Sequence, residues 1–381
     1  MIALFDFDDE DMISSKYGTW WELNPQRGRA NNSAVAFRPK LEKKEFLQLW
    51  KRIELSGSGE PGIYLTNNPE WGTNPCVEIA LRPFSFCNLC ELNVSSVESE
   101  QDFYDRVKVA AFFGTLQASF TDFHYLRDVW KKTTEKDALL GIGMTGIASN
   151  KVEDYLNEGV KVAILENKRV AELIGIKTAA RVTCVKPSGT TSCVLGTSSG
   201  IHTWHSPYYI RTMRFNKTET IAKYLMENHP EICEDEFYSP KHTLCVRIPI
   251  KAPKDALTRN DENPIEFLER VKFYYNNWVK PGHINGINTH NISATISVKP
   301  EEWAEVGEWM WENKTTYNGL SVLPYDGGSY VQAPFSEISE EKYNELYSKL
   351  RDVDFFFFLE EEDNTTQAEE LACSGAGCEL K

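Results

Sequence analysis

Short apolar runs alternate with longer segments of helical periodicity along most of the chain. Several of these runs show no polar alternation, which is typical of strands buried on both faces of a parallel sheet. The pattern therefore predicts an α/β fold. The predicted strands are 2–8, 62–67, 77–81, 181–187, 242–250, 293–299 and 319–326. The predicted helices are 101–128, 152–173, 265–278, 301–313 and 339–351.

The segments between these elements indicate how many domains the chain forms. No internal repeat of fixed period and no Gly/Ser-rich linker divides the chain. We therefore expect one catalytic domain over 1–351. Towards the C-terminus the sequence becomes small and polar without periodicity, which predicts a flexible tail over 352–381.

Composition and charge narrow the class of protein. The 381 residues are 41% hydrophobic and 25% charged, which is globular composition. A formal net charge of -15 argues against general binding to nucleic acid or to an anionic membrane. With no apolar run long enough to cross a bilayer and no signal peptide, we expect a cytoplasmic location. The 9 cysteines, an odd number at irregular spacing, favour reduced thiols over a disulfide framework.

The segment NPCVEI places a thiol between an amide and a carboxylate. If it is extended, Asn74, Cys76 and Glu78 face one side. A carboxylate raises the pKa of a neighbouring thiol, which disfavours a thiolate nucleophile. The arrangement favours a sulfur that carries hydrogen atoms, with Glu78 as general base towards a substrate hydroxyl. The alternative is a buried cysteine in an ordinary strand.

Two further cysteine pairs are candidates for redox chemistry. Cys87 and Cys90 form a CxxC, which could be half of a zinc site, a redox pair or two core thiols. Cys373 and Cys378 lie in the predicted tail, separated by a glycine-containing spacer. Such a pair can form a disulfide and exchange with another one, or it can be incidental.

The segment KPSGTTSCVLGTSSGIH, residues 186–202, follows a predicted strand and is rich in Gly, Ser and Thr. Its backbone N–H groups and hydroxyls can bind phosphate oxygens. The segment matches neither a Walker loop nor a dinucleotide fingerprint. An ordinary turn is an equally good interpretation of it alone.

Taken together, these segments resemble the ribonucleotide reductases, and among them the monomeric adenosylcobalamin-dependent class II enzymes that act on ribonucleoside triphosphates. The resemblance covers almost the whole chain. The matching segments are IALFDFDDED, RANNSAV, GIYLTNNPEWGTNPCVEI, GTLQASFTDF, VKPSGTTS, SPYYIR, NTHNISATISVKPEEWAEVGEWMWEN, SVLPYDGGSYVQAPF and LACSGAGCE.

The resemblance implies a fold and a role for each residue of the NPC-x-E motif. In this family the motif lies on a finger loop threaded through a ten-stranded α/β barrel, of which this chain would be the C-terminal part. Cys76 would become a thiyl radical that removes the 3′ hydrogen of the ribose. Glu78 would take the 3′-OH proton, and Asn74 would orient the sugar. Cys87, eleven residues after Cys76, matches one member of the reducing thiol pair, whereas Cys90 matches no assigned residue.

The resemblance also implies a cofactor and partners. Adenosylcobalamin would generate the radical, and a thioredoxin or glutaredoxin-like protein would reduce the tail pair Cys373 and Cys378. That pair would in turn reduce the disulfide of the active site. The residues matching substrate-binding segments are Asn32 and Ser33, and the phosphate loop Pro187, Ser188, Gly189, Thr190, Thr191 and Ser192.

One departure from the family pattern concerns the second thiol of the reducing pair. In the family it lies well upstream of the NPC-x-E motif, in a region that includes the allosteric nucleotide site. Here no cysteine precedes Cys76. We therefore expect an N-terminal half on a separate chain, or a partial sequence, and no catalytic turnover by the isolated chain.

Other functions stay open at this stage. A class I large subunit would receive its radical from a separate subunit through adjacent tyrosines near the C-terminus, where this chain has phenylalanines at 355–358. An inactive fragment that binds thioredoxin or nucleotides is a second alternative. A thiol-disulfide oxidoreductase based on Cys87 and Cys90 is a third.

Overall fold

The computed structural model describes residues 1–149, 151–237, 239–325 and 332–354. The strands are β1 Ile2–Asp6, β2 Asn31–Phe37, β3 Gly62–Thr66, β4 Gly72–Thr73, β5 Ala80–Leu81, β6 Cys90–Asn93, β7 Ile142–Thr145, β8 Tyr208–Asn216, β9 Cys233–Asp235, β10 Thr243–Lys251, β11 Thr295–Val298, β12 Ser321–Pro324 and β13 Phe335–Glu337. The α-helices are α1 Glu10–Ile13, α2 Trp20–Leu23, α3 Lys43–Ser56, α4 Glu100–Ala118, α5 Asp128–Asp137, α6 Leu156–Ile174, α7 Gly189–Leu195, α8 Thr220–Asn228, α9 Pro264–Tyr274, α10 Trp303–Glu312 and α11 Glu340–Tyr347.

The described chain forms two compact units. The first comprises Met1–Thr203 and Asp261–Tyr325, and the second comprises Trp204–Asn260 with the described residues after 325. The sequence predicts one catalytic domain over 1–351 and does not predict this division within it.

Parallel strands form the framework of the first unit. β1, β2 and β3 pair in parallel as one three-stranded sheet. A second parallel set begins with β6 on β7 and continues through Ile142 to Thr183 and through Val185 to Ile292. It ends with β11 on β12. The Leu65 N–H, which donates to the Asn318 carbonyl at 2.6 Å, joins the two sets.

Burial on both faces explains why these segments are apolar throughout. All four residues of β7 are buried, and Val182, Cys184 and Val185 are fully inaccessible to solvent. Helices cover the strands from outside. In α3, Phe46, Leu49, Trp50 and Ile53 form the buried stripe expected of an amphipathic helix, and Glu42 with Glu45 forms a capping box at its start. The α/β fold class is confirmed.

The second unit is built on an antiparallel sheet with the order β13-β8-β10-β9. β8 and β10 pair along nine residues each. Ala222 and Leu225 of α8 pack with Leu244 and Val246 of β10. This unit therefore has a small core of its own.

Some element predictions are wrong in extent. The predicted helix 101–128 ends at Ala118, and a separate helix begins at Asp128. Between them lie Ser119, Thr121 and Asp122, short polar residues whose side chains compete for backbone hydrogen bonds. The predicted strand 77–81 is reduced to Ala80–Leu81. The segment 181–187 is extended but pairs only through isolated bridges.

Within the described segments, no helix combines the length and the apolar character that crossing a bilayer requires.

Candidate active site

The NPC-x-E segment forms a tight turn, not the extended strand that its pattern predicts. The Val77 N–H donates to the Asn74 carbonyl at 3.0 Å, and Val77 has a φ of 66°. Positive φ is strained for a β-branched residue and persists only where surrounding structure enforces it. The backbone of Gly319 leaves room for this turn, since a Cβ there would lie 3.0 Å from Val77 Cγ1. The extended geometry in which Asn74, Cys76 and Glu78 would face one side is therefore not formed.

The turn still brings Asn74 and Glu78 together. Asn74 is buried, and its Oδ1 accepts a hydrogen bond from the Ile79 N–H at 2.9 Å. Its side chain also hydrogen-bonds to the Glu78 carboxyl group. The amide thus fixes the carboxylate from inside the turn.

Glu78 is 2% exposed, and its Oε2 has no hydrogen-bond partner among the described residues. Burial raises the pKa of the Glu78 carboxyl, while the hydrogen bond from Asn74 and the charge of Lys186 lower it in part. A carboxyl group with a raised pKa and an unoccupied oxygen is suited to accept a proton near neutral pH.

Cys76 is half-buried and lines a cavity together with Asn32 and Ser33 of β2. Asn31 Nδ2 donates to the Pro75 carbonyl at 2.8 Å, which ties β2 to the turn. The cavity is also lined by Ser293. The structure therefore brings the predicted thiol and both predicted residues of β2 to one cavity.

Cys87 and Cys90 occupy different environments. Cys87 is exposed on its outer side, yet desolvation raises the pKa of its thiol, and the charge of Glu78 raises it further. Cys90 begins β6, and its sulfur lies 3.3 Å from where a Cβ on Gly114 of α4 would be. Cys87 is thus electrostatically linked to Glu78, whereas Cys90 packs against a helix. Cys373 and Cys378 lie outside the described residues.

The predicted phosphate loop runs into α7. Ser188 has a φ of 57° where the helix begins, and Ser188 and Ser192 are buried. Ser192 Oγ lies 2.9 Å from Ser199 Oγ, which fixes the base of the loop. The remaining predicted residues, Pro187, Gly189, Thr190 and Thr191, are half-buried or exposed.

A buried polar network behind the turn was not predicted as functional. The Asn291 N–H donates to the Glu78 carbonyl at 2.9 Å, and Asn291 Nδ2 donates to the Gly319 carbonyl at 2.8 Å. The Asn318 N–H donates to Asn291 Oδ1 at 3.0 Å. Asn291 therefore connects the turn that carries Glu78 to the segment against which Val77 packs.

His290 completes this network as a neutral imidazole. Its Nδ1 accepts from the Ala80 N–H at 3.2 Å, and its Nε2 donates to the Leu140 carbonyl at 2.8 Å. Burial lowers the pKa of His290 well below its usual value. The sequence signal was NTHNIS, a cluster of polar residues directly before an apolar strand, where buried polar side chains must be hydrogen-bonded.

Comparisons with known proteins show what this chain is similar to. No family model matches the chain. A crystal structure of a B12-dependent (class II) ribonucleotide reductase matches with a TM-score of 0.73 and 23% identity, over 91% of this chain and 53% of that chain. The fold is that of a ribonucleotide reductase.

The chain is also similar in sequence to curated proteins. A probable adenosylcobalamin-dependent ribonucleoside-triphosphate reductase of Dictyostelium discoideum is 25% identical over 93% of this chain and 48% of its own length. The adenosylcobalamin-dependent ribonucleoside-triphosphate reductase of Lactobacillus acidophilus is 26% identical over 100% of this chain and 56% of its own. The chain is a relative of the adenosylcobalamin-dependent ribonucleoside-triphosphate reductases, and it spans about half the length of the curated relatives it matches.

Proposed function

We propose that this chain carries the catalytic centre for the reduction of ribonucleoside triphosphates to 2′-deoxyribonucleotides for DNA synthesis, by a thiyl-radical mechanism. One observation supports this most strongly. Cys76 lines a cavity while Glu78, in the same turn, is a buried carboxyl group with an unpartnered oxygen. A ribose in that cavity would meet the Cys76 sulfur, and we propose that the Glu78 carboxyl, two residues further along the same turn, reaches its 3′-OH when the nucleotide is bound.

The residues would divide the reaction as follows. Cys76, as a thiyl radical, would remove the hydrogen atom from C3′, and Glu78 would accept the 3′-OH proton. Asn74 would orient the sugar while holding the Glu78 carboxyl group. Replacement of the 2′-OH by hydrogen, with the oxygen leaving as water, is a two-electron reduction. Cys87 and a second thiol would supply the two electrons and two hydrogens by forming a disulfide.

Adenosylcobalamin, when bound, would supply the organic radical that oxidises the Cys76 thiol. The described residues fit this at the reacting end, because Cys76 is half-buried at a cavity and not enclosed in the core. The relatives' names favour this cofactor over the separate radical-generating subunit of class I enzymes.

The remaining parts of the catalytic cycle are proposed from the family resemblance. The loop from Pro187 to Ser192 would hold the phosphates, and Asn32 and Ser33 would line the substrate site. Cys373 and Cys378 would pass electrons from a thioredoxin or glutaredoxin-like donor, which would place the reaction in the cytoplasm. The segments equivalent to the other half of the relatives, in the same or a separate polypeptide, would complete the enzyme and provide the second thiol.

Complementation tests this proposal. The chain would be co-expressed with a polypeptide equivalent to the other half of a relative, and nucleotide reduction assayed with adenosylcobalamin and dithiothreitol. We expect multiple turnovers, abolished by Cys76→Ser and retained by Cys233→Ser, a half-buried cysteine of the second unit. Deoxynucleotide formation by the Cys76→Ser variant would contradict the proposed catalytic centre, and multiple turnovers by the isolated chain would contradict the need for the other half.

A further inference from the structure

A partly buried ion pair crosses β7 next to the proposed site. Glu91 of β6 lies opposite Gly143 of β7 in the parallel register, and Ile142 pairs with Thr183 on the other side. Lys186 Nζ nevertheless lies 3.3 Å from Glu91 Oε2. A Cβ on Gly143 would lie 3.5 Å from Lys186 Cγ, so the lysine side chain passes directly over the glycine. The lysine side chain therefore reaches a carboxylate two segments away.

The pair is incompletely satisfied. The Glu91 side chain is 5% exposed, whereas that of Lys186 is 21% exposed. Glu91 Oε1 has no hydrogen-bond partner among the described residues, and burial raises the pKa of the Glu91 carboxyl. Within the same residues, Glu91 is the acceptor for the one hydrogen bond of Lys186. An ammonium group has three donors, so Lys186 can bind a further anion.

Lys186 is adjacent in sequence to the proposed phosphate loop, and its backbone lies next to a segment that lines the cavity at Cys76. It directly precedes Pro187, the first residue of the loop. Because Val185 pairs with Ile292, Lys186 lies opposite Ser293, which lines the cavity. The charge of Lys186 also reaches the Glu78 carboxyl.

The charge of the chain favours a cation at this position. The chain carries a formal charge of -15, and the loop from Pro187 to Ser192 contains no basic residue. A triphosphate approaching this loop needs a local positive group to offset the repulsion.

We propose that Lys186 is a ligand of the nucleotide's phosphate chain, and that Glu91 holds the ammonium group in place until the nucleotide binds. The identity of the ligand as a nucleotide rests on the proposed function. A purely structural role, in which Lys186 only neutralises Glu91, predicts that neither residue affects anion binding.

Calorimetric titration of the full chain with inorganic tripolyphosphate, and separately with a ribonucleoside triphosphate, distinguishes the two roles. Lys186→Met is expected to weaken binding of both ligands at least tenfold. Glu91→Gln is expected to tighten it, because the competing internal carboxylate is removed. Lys161→Met is the matched control, since Lys161 forms an exposed pair with Glu158 and its loss should leave affinity unchanged.

Lys186→Met leaves a buried carboxylate unpaired and can therefore unfold the chain. The double variant Lys186→Met/Glu91→Gln removes both charges and should remain folded with the same loss of affinity.

Equal affinity of wild type and the double variant would overturn the proposal, as would weaker binding by Glu91→Gln or a wild-type chain that binds neither ligand. Lys186-dependent tripolyphosphate binding by a complemented enzyme that reduces no nucleotide would support the anion site and refute the proposed function.

Discussion

Replacement of Asn291 by alanine removes only a few atoms, yet it should destabilise the protein strongly. The Asn291 side chain is inaccessible to solvent and pairs with the Gly319 carbonyl and the Asn318 N–H. Truncation leaves both buried backbone groups without a partner, and each such loss costs about 1–3 kcal/mol. The expected decrease in the free energy of unfolding is therefore roughly 2–6 kcal/mol, before any contribution from the cavity left behind.

Urea denaturation of the full chain, followed by tryptophan fluorescence, measures this decrease in the free energy of unfolding. Asn157→Ala is the control, because Asn157 makes a single exposed hydrogen bond to Asn277. Its effect should stay within about 0.5 kcal/mol. The network also fixes the strained turn, so Asn291→Ala should speed hydrogen exchange at Ile79 and Ala80. A loss of stability no larger than that of Asn157→Ala, with unchanged exchange in the turn, would refute this account of the network.

Three further variants test the site and the pH response. In the complemented enzyme, Glu78→Gln should lower the rate of nucleotide reduction about 10²–10⁴-fold while leaving the unfolding midpoint unchanged or higher, because a buried charge is removed; a rate near that of wild type would exclude Glu78 as the base. Cys90→Ala should retain reduction and Cys87→Ser should abolish multiple turnovers, since only Cys87 is electrostatically linked to Glu78; the reverse result would exchange their roles. Burial lowers the pKa of His205, which stacks on Phe335, to about 3. This histidine binds fewer protons when folded, so its contribution to stability is present above pH 6.5 and is lost as pH falls towards 3, at up to about 1.4 kcal/mol per pH unit. His205→Phe should flatten the dependence of the unfolding free energy between pH 4 and 7, and an unchanged slope would contradict the assignment.

The sequence predicted the framework well where one physical signal dominated. Apolar runs located β3, β11 and β12 to within a few residues. β3 is buried along most of its length, which leaves little choice of side chain, whereas β11 alternates between buried Ile296 and Val298 and exposed Ser297. The helix Pro264–Tyr274 was predicted as 265–278, and its preceding Asn263 is a strong capping residue.

The sequence indicated which residues belong to the candidate site, but it did not indicate the backbone conformation that brings them together. Local periodicity suggested an extended segment from Asn74 to Glu78, yet Val77 adopts a left-handed conformation that its own side chain disfavours. That conformation depends on contacts with Gly319 and Asn291, more than two hundred residues away in sequence. No local pattern reports such contacts, and strained positions are where local rules are expected to fail.

β6 places a thiol on one of its sides and a carboxylate on the other. Neighbouring residues of a strand face opposite sides, and here Cys90 meets the bare backbone of Gly114 while Glu91 faces Gly143. A slip of one residue would press the carboxylate into an apolar helix and turn the thiol towards the lysine. A Cβ on Gly114 would lie 3.3 Å from Cys90 Sγ, so the close contact of this thiol with the helix backbone helps to fix the register of the strand. A strand only four residues long can in this way keep its register without a long ladder of hydrogen bonds.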